Sequence, residues 1–138
     1  MIAREDLARD IVIVACAISA GIHAALAPEH FAESTAAGGG FLVAAVALAA
    51  LAAALSLWPA STAALAGATV VFLGLLASYA LAISTGLPLL HPEPEAIDGL
   101  ALATKAVELA GLLAAGHLLG HGRPAVALVS PSPKGILR

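Results

Sequence analysis

Histidines and carboxylates gather in two short polar segments of a chain that is otherwise strongly apolar. Residues 28–33 carry His30 and Glu33, and residues 86–95 carry His91 and Glu93. Imidazole and carboxylate groups together are ligands that zinc, copper(II) and iron take up in proteins. One cysteine and one methionine are too few for a soft sulfur site. The predicted metal ligands are His23, His30, His91, Glu33, Glu93 and Glu108.

The two polar segments each have two interpretations. Residues 28–33 predict either a short helix at the membrane surface, with Phe31 toward lipid, or a solvated connector. The prolines of the second segment favour a stiff, extended strip. Such a strip either presents His91 and Glu93 to a ligand at low entropic cost or only keeps the outer face of the protein hydrated.

Polar side chains also occur inside the apolar segments. Ser19 and His23 are four residues apart, so they share one face of a helix. Lys105 and Glu108 are three apart and share a face of another. Ionisable groups within a membrane span are costly, which makes them functional candidates. Two interpretations stay open, a structural Lys105–Glu108 ion pair and a site for a ligand or a proton. The predicted polar stripe outside the metal ligands consists of Ser19, Asp98, Thr104 and Lys105.

The face with Ser19 and His23 and the face with Lys105 and Glu108 form two polar stripes on different helices. Helix direction predicts that these two polar stripes meet. Side chains lean toward the N-terminus of their own helix. The segment with Ser19 is expected to run outward and the segment with Glu108 inward, so both sets lean to a similar depth. The hydroxyl of Tyr79 is expected to face the bundle. His117 and His121, four residues apart, are compatible with a metal chelate or with hydrogen bonds to the last carbonyls of a helix.

Four apolar segments position these side chains. The 138-residue chain is 61% hydrophobic and 11% charged, whereas soluble domains have about 25% charged residues. A membrane-spanning helix needs about 20 mostly apolar residues, and the segments 11–27, 41–58, 63–85 and 97–119 qualify. The first is expected to stop at Pro28 and the third at Gly86. Residues 1–121 therefore predict an all-α four-helix transmembrane bundle with short loops.

Positive charge predicts the orientation of this bundle. The connections 28–40 and 86–96 contain no lysine or arginine, so both termini are expected in the cytoplasm and the His/carboxylate site faces outward. A retained first span is favoured over a cleaved signal peptide, because acidic residues dilute its basic start. The chain is expected to be a multi-pass protein of a bacterial inner (cell) membrane. Residues 122–138 predict a flexible cytoplasmic tail. The extramembrane positive residues are Arg4, Arg9, Arg123, Lys134 and Arg138.

Two runs of the sequence resemble a protein family. Residues 21–33 read Gly-Ile-His-Ala-Ala-Leu-Ala-Pro-Glu-His-Phe-Ala-Glu, and residues 86–108 combine Gly-Leu-Pro, His-Pro-Glu-Pro-Glu, Asp98 and Glu108. Together they resemble uncharacterised small four-span membrane proteins of actinobacteria and other high-GC bacteria, over roughly residues 10–120. The resemblance implies an architecture and no activity. In that pattern the position of Lys105 is more often apolar, which favours Glu108 as the functional group.

Three classes of function are compatible with these features. The first is an integral membrane protein with an outward-facing His/carboxylate site that binds or handles zinc, copper or iron. The second is an accessory or assembly subunit of a larger membrane complex. The third is an oligomeric proton-coupled transporter that uses Glu108 and His23. No nucleophile–base or phosphate-loop motif appears, which favours a non-enzymatic role. The expected partners are the lipid bilayer and a homo-oligomer or larger complex, and nucleic-acid binding has no support.

Overall fold

Four helices make up the part of the protein that the structure describes. A computed structural model describes residues 2–87 and 93–121, with side chains from Arg4 onward. Helix α1 spans Ile2–Glu33, α2 spans Thr35–Leu57, α3 spans Thr62–Ser84 and α4 spans Gly99–His121. The predicted ligand His91 and the predicted tail, residues 122–138, lie outside the described residues.

The predicted all-α four-helix fold is confirmed. Each of the four helices is long and apolar enough to cross a membrane. The helices α2, α3 and α4 have 23 residues each, which corresponds to about 35 Å at 1.5 Å per residue. A bilayer has a hydrocarbon core of about 30 Å. These dimensions support a multi-pass membrane protein.

Helix α1 does not stop at Pro28, contrary to the sequence-based expectation. It has 32 residues and contains Pro28 in its interior, so the predicted separate surface helix over 28–33 is the end of α1. Proline removes one hydrogen bond to the preceding turn, but neighbouring groups can compensate for that loss in a membrane helix. Here the chain resumes helical bonding at once, and the Ser34 amide donates to the His30 carbonyl oxygen at 2.9 Å.

Hydroxyl and carboxylate groups cap the next three helices. The Ser34 Oγ accepts the Ala37 amide at 3.0 Å, so α2 begins six residues before the predicted start of its span. Ser61 caps α3 through the same type of bond, which is 3.2 Å long. Asp98 caps α4, because its Oδ1 accepts the Ala101 amide at 2.8 Å. Such side chains satisfy amides that have no partner within the helix.

Each helix packs mainly against two others. Helix α1 packs against α2 and α4, and α3 packs against α4 and α2. One close approach between helices involves Gly111, where a Cβ atom would lie 2.7 Å from the Phe72 ring and 2.8 Å from the Ala15 Cβ. Large apolar side chains face outward instead, as lipid permits; examples are Val43, Val70 and Leu113.

Candidate functional site

The two polar stripes meet in the core of the bundle, as the sequence predicts. Ser19 Oγ on α1 donates to Glu108 Oε1 on α4 at 2.7 Å. Lys105 Nζ donates to the other carboxylate oxygen, Oε2, also at 2.7 Å. Glu108 has no exposed surface. Glu108 therefore lies in the interior of the bundle, and both of its oxygens have a donor.

Lys105 connects this buried carboxylate to a more open space. Its side chain is 17% exposed, whereas that of Glu108 is 0% exposed. The Lys105 Nζ also lies over the Tyr79 ring, 5.5 Å from the ring centre, within the range of a cation–π contact. The Tyr79 hydroxyl is buried and has no hydrogen-bond partner in the described part of the chain. The expectation that it faces the bundle is confirmed.

Two histidines of α1 are held in the same way. Nδ1 of His23 lies 2.8 Å from the Ser19 carbonyl oxygen, and Nδ1 of His30 lies 3.0 Å from the Leu26 carbonyl oxygen. A carbonyl oxygen only accepts hydrogen bonds, so Nδ1 carries the proton in each neutral ring. The lone pair is then on Nε2. This arrangement fixes the tautomer and orientation of both rings, as in many metal-binding histidines.

Phe41 of α2 lies against both imidazoles. The centres of the Phe41 and His30 rings are 3.7 Å apart in a stacked arrangement. The Phe41 and His23 centres are 5.3 Å apart and the rings are tilted. The sequence marks Phe41 only as the start of a span, so its role beside the histidines was missed. The sequence feature that could have indicated this role is that Phe41 is the first aromatic residue after the polar segment 28–33.

These groups line one cavity of about 580 Å³ at the end of the bundle where α1 meets α2 and where the chain enters α4. His23, His30, Phe41, Tyr79 and Lys105 contribute to its wall. Four carboxylates near its opening are Glu29, Glu33, Glu95 and Asp98. With Lys105 already paired to Glu108, carboxylates dominate the charge around the opening.

The structure brings only part of the predicted ligand set together. His23, His30 and Glu33 line the cavity, and Glu108 lies beneath it, bonded to Lys105 and Ser19. Glu93 is exposed in the connection that precedes α4. Across residues 2–87 and 93–121, no three histidine, cysteine or acidic side chains are grouped closely enough to hold one metal ion.

The remaining stripe residues have structural contacts. Thr104 is buried, and its hydroxyl donates to the Leu100 carbonyl oxygen at 2.7 Å. At the other end of α4, Nδ1 of His121 lies 2.8 Å from the His117 carbonyl oxygen. The contact of His121 is the carbonyl bond expected near a helix C-terminus.

Comparison of the chain with protein families, curated proteins and solved structures finds no match.

Proposed function

We propose that this chain is an integral membrane protein that binds a divalent transition-metal ion, namely zinc, copper(II) or iron, in the cavity beside His23 and His30. One observation carries the proposal. Both imidazoles use Nδ1 for a backbone carbonyl, and both rings line the same cavity. Each ring therefore has Nε2 left for a ligand in that cavity.

The charge around the cavity supports a cation rather than an anion. Its opening carries four carboxylates, and the lysine in its wall already pairs with a buried glutamate. A low-dielectric cleft lined by one sign of charge concentrates ions of the opposite sign. Imidazole nitrogen with carboxylate oxygen is a ligand set suited to zinc and its neighbours.

Metal binding at this place requires a local rearrangement. The Phe41 ring lies against both imidazoles, so it has to turn aside before both Nε2 atoms reach one ion. Glu33 follows His30 by about one helical turn and lines the cavity as well, which makes it a candidate for the third ligand. A zinc ion held by three protein ligands, as in catalytic sites, keeps a fourth position for water or substrate.

Metal analysis of gently solubilised protein tests this proposal. The protein should carry about one equivalent of metal and should bind added Zn²⁺ or Co²⁺ with a change in the Co²⁺ absorption spectrum. The variants His23→Gln and His30→Gln should each lose that binding. His117→Gln is the matched control, because His117 lies near the opposite end of the bundle. Wild-type protein without stoichiometric binding, or equal losses in all three variants, would refute the proposal.

A second candidate function is proton-coupled transport by an oligomer. It is favoured by the buried chain of contacts from His23 through Ser19 to Glu108, which continues below the cavity. Glu108→Gln should then abolish proton-coupled uptake in vesicles while metal binding at the histidines persists. A third candidate is an accessory or assembly subunit. Co-purification of the solubilised protein with a larger complex would favour that role.

We further propose that the protein resides in a bacterial inner membrane with both termini in the cytoplasm. The support is the asymmetry of lysine and arginine in the sequence. In that orientation the cavity opens on the outer side, where it meets ions before they enter the cell.

A further inference from the structure

A shallow apolar groove runs between α1 and α4 at the end of the bundle opposite the cavity. It encloses about 420 Å³. Leu7, Ala8 and Ile11 of α1 face Ala110, Leu113 and Ala114 of α4 across it. Leu7 is 61% exposed and Leu113 is 65% exposed. The groove therefore presents apolar surface that no other part of the described chain covers.

One end of this groove is basic. Arg4 and His117 also line it. Arg4 precedes Leu7 by one turn of α1, and His117 follows Leu113 by one turn of α4. Because α1 and α4 are antiparallel, both residues lie at the same end. Seven residues from Arg4 to Ile11 correspond to about 10 Å along the helix.

The acidic residues of this segment lie away from the groove. At 3.6 residues per turn, Glu5, Asp6 and Asp10 are each about 100° or more from the centre of the face that carries Leu7, Ala8 and Ile11. Arg9 lies on that other side too and pairs with Asp6 at 3.3 Å. The charge that faces the groove is therefore that of Arg4, with the imidazole of His117 beside it.

An apolar groove with a basic end matches a molecule that has an acyl chain and an anionic headgroup. We propose that the groove between α1 and α4 binds an anionic phospholipid, with the phosphate at Arg4 and His117 and an acyl chain along Leu7, Ile11 and Leu113. About 10 Å of groove holds the part of the chain nearest the headgroup, since half of a hydrocarbon core is about 15 Å thick. Basic pockets at helix ends recognise anionic headgroups in this way. The site is separate from the cavity beside His23 and does not depend on the function proposed for that cavity.

Native mass spectrometry of the full chain, with phosphatidylglycerol and phosphatidylcholine added in equal amounts, tests the site. Wild-type protein should retain phosphatidylglycerol preferentially. Arg4→Gln should lower phosphatidylglycerol affinity about fivefold, the effect expected for one basic residue near a membrane surface. It should lower phosphatidylcholine affinity less, because the choline cation offsets the charge of that lipid's phosphate. Leu113→Trp should fill the groove and reduce retention of both lipids.

Arg9→Gln is the matched control, because it removes an arginine of the same helix that faces away from the groove. It should leave both affinities unchanged. Equal retention of the two lipids by wild-type protein, or equal losses in Arg4→Gln and Arg9→Gln, would overturn the proposal. A wild-type dimer that Leu113→Trp dissociates would also overturn it, since a second copy would then occupy the groove.

Discussion

Removal of the Lys105 ammonium tests how the buried network stabilises the bundle. Lys105→Met keeps an unbranched side chain of similar length but removes one of the two donors to Glu108. The carboxylate would keep only the bond from Ser19, which is 2.7 Å long. Because Glu108 has no exposed surface, water cannot replace the lost donor without opening the packing between α1 and α4.

The expected effect is large for a single substitution. Breaking a buried ion pair by removing one partner costs about 3–5 kcal/mol. Lys105 is partly exposed to the cavity, with 17% of its side chain accessible, so the lower end of that range applies. A loss of about 3 kcal/mol lowers the folding equilibrium constant about 150-fold.

Cys16 provides an internal probe for this measurement. It is the single cysteine of the chain, and it is fully buried on α1. A maleimide therefore labels it only when the helices separate. Labelling across a series of detergent mixtures of increasing denaturing strength should show Lys105→Met protein becoming reactive at a lower denaturant fraction than wild-type protein.

A paired variant distinguishes electrostatics from packing. Lys105→Met combined with Glu108→Leu removes both charges, and replacing a whole buried pair by apolar residues is often neutral or stabilising. The double variant should recover most of the lost stability. The reasoning would be refuted by a single variant as stable as wild-type protein, or by a double variant no more stable than the single one.

Two further predictions concern packing and topology. Gly111→Ala should destabilise the bundle by about 1–3 kcal/mol, because its Cβ would lie 2.7 Å from the buried ring of Phe72; the control Gly116→Ala meets no atom within 4 Å and should be neutral or stabilising in the same labelling assay. A cysteine placed at Glu93 in a cysteine-free background should react with an impermeant reagent in intact cells, and one at Lys134 should not; the reverse pattern would invert the proposed orientation.

The number of helices was predictable because each apolar segment is long enough to be recognised as a membrane span from the sequence alone. The meeting of Ser19 with Glu108 was also predictable, since the direction of each span and the lean of its side chains follow from order along the chain. The first prediction depends on the length and hydropathy of each segment, and the second on residue spacing and helix direction. They needed no knowledge of which side chain packs against which.

The position of Phe41 could not be predicted in this way. Its ring belongs to α2 but lies against the histidines of α1, and that contact depends on how the two helices rotate about their own axes. Nothing in the spacing of Phe41 fixes this rotation. The cap at Ser34, which begins α2 directly after α1 ends at Glu33, was not predicted from the sequence either.

The continuation of α1 through Pro28 determines the geometry of the candidate site. Had α1 ended there, His30 would belong to a connector and its direction would be independent of His23. Because the helix continues, the two histidines are seven residues apart on one helix, which places them on nearly the same face, two turns apart. Each ring can then bond the carbonyl four residues before it. The two imidazoles therefore share an orientation because α1 continues through Pro28. The metal proposal depends on this continuation of the helix.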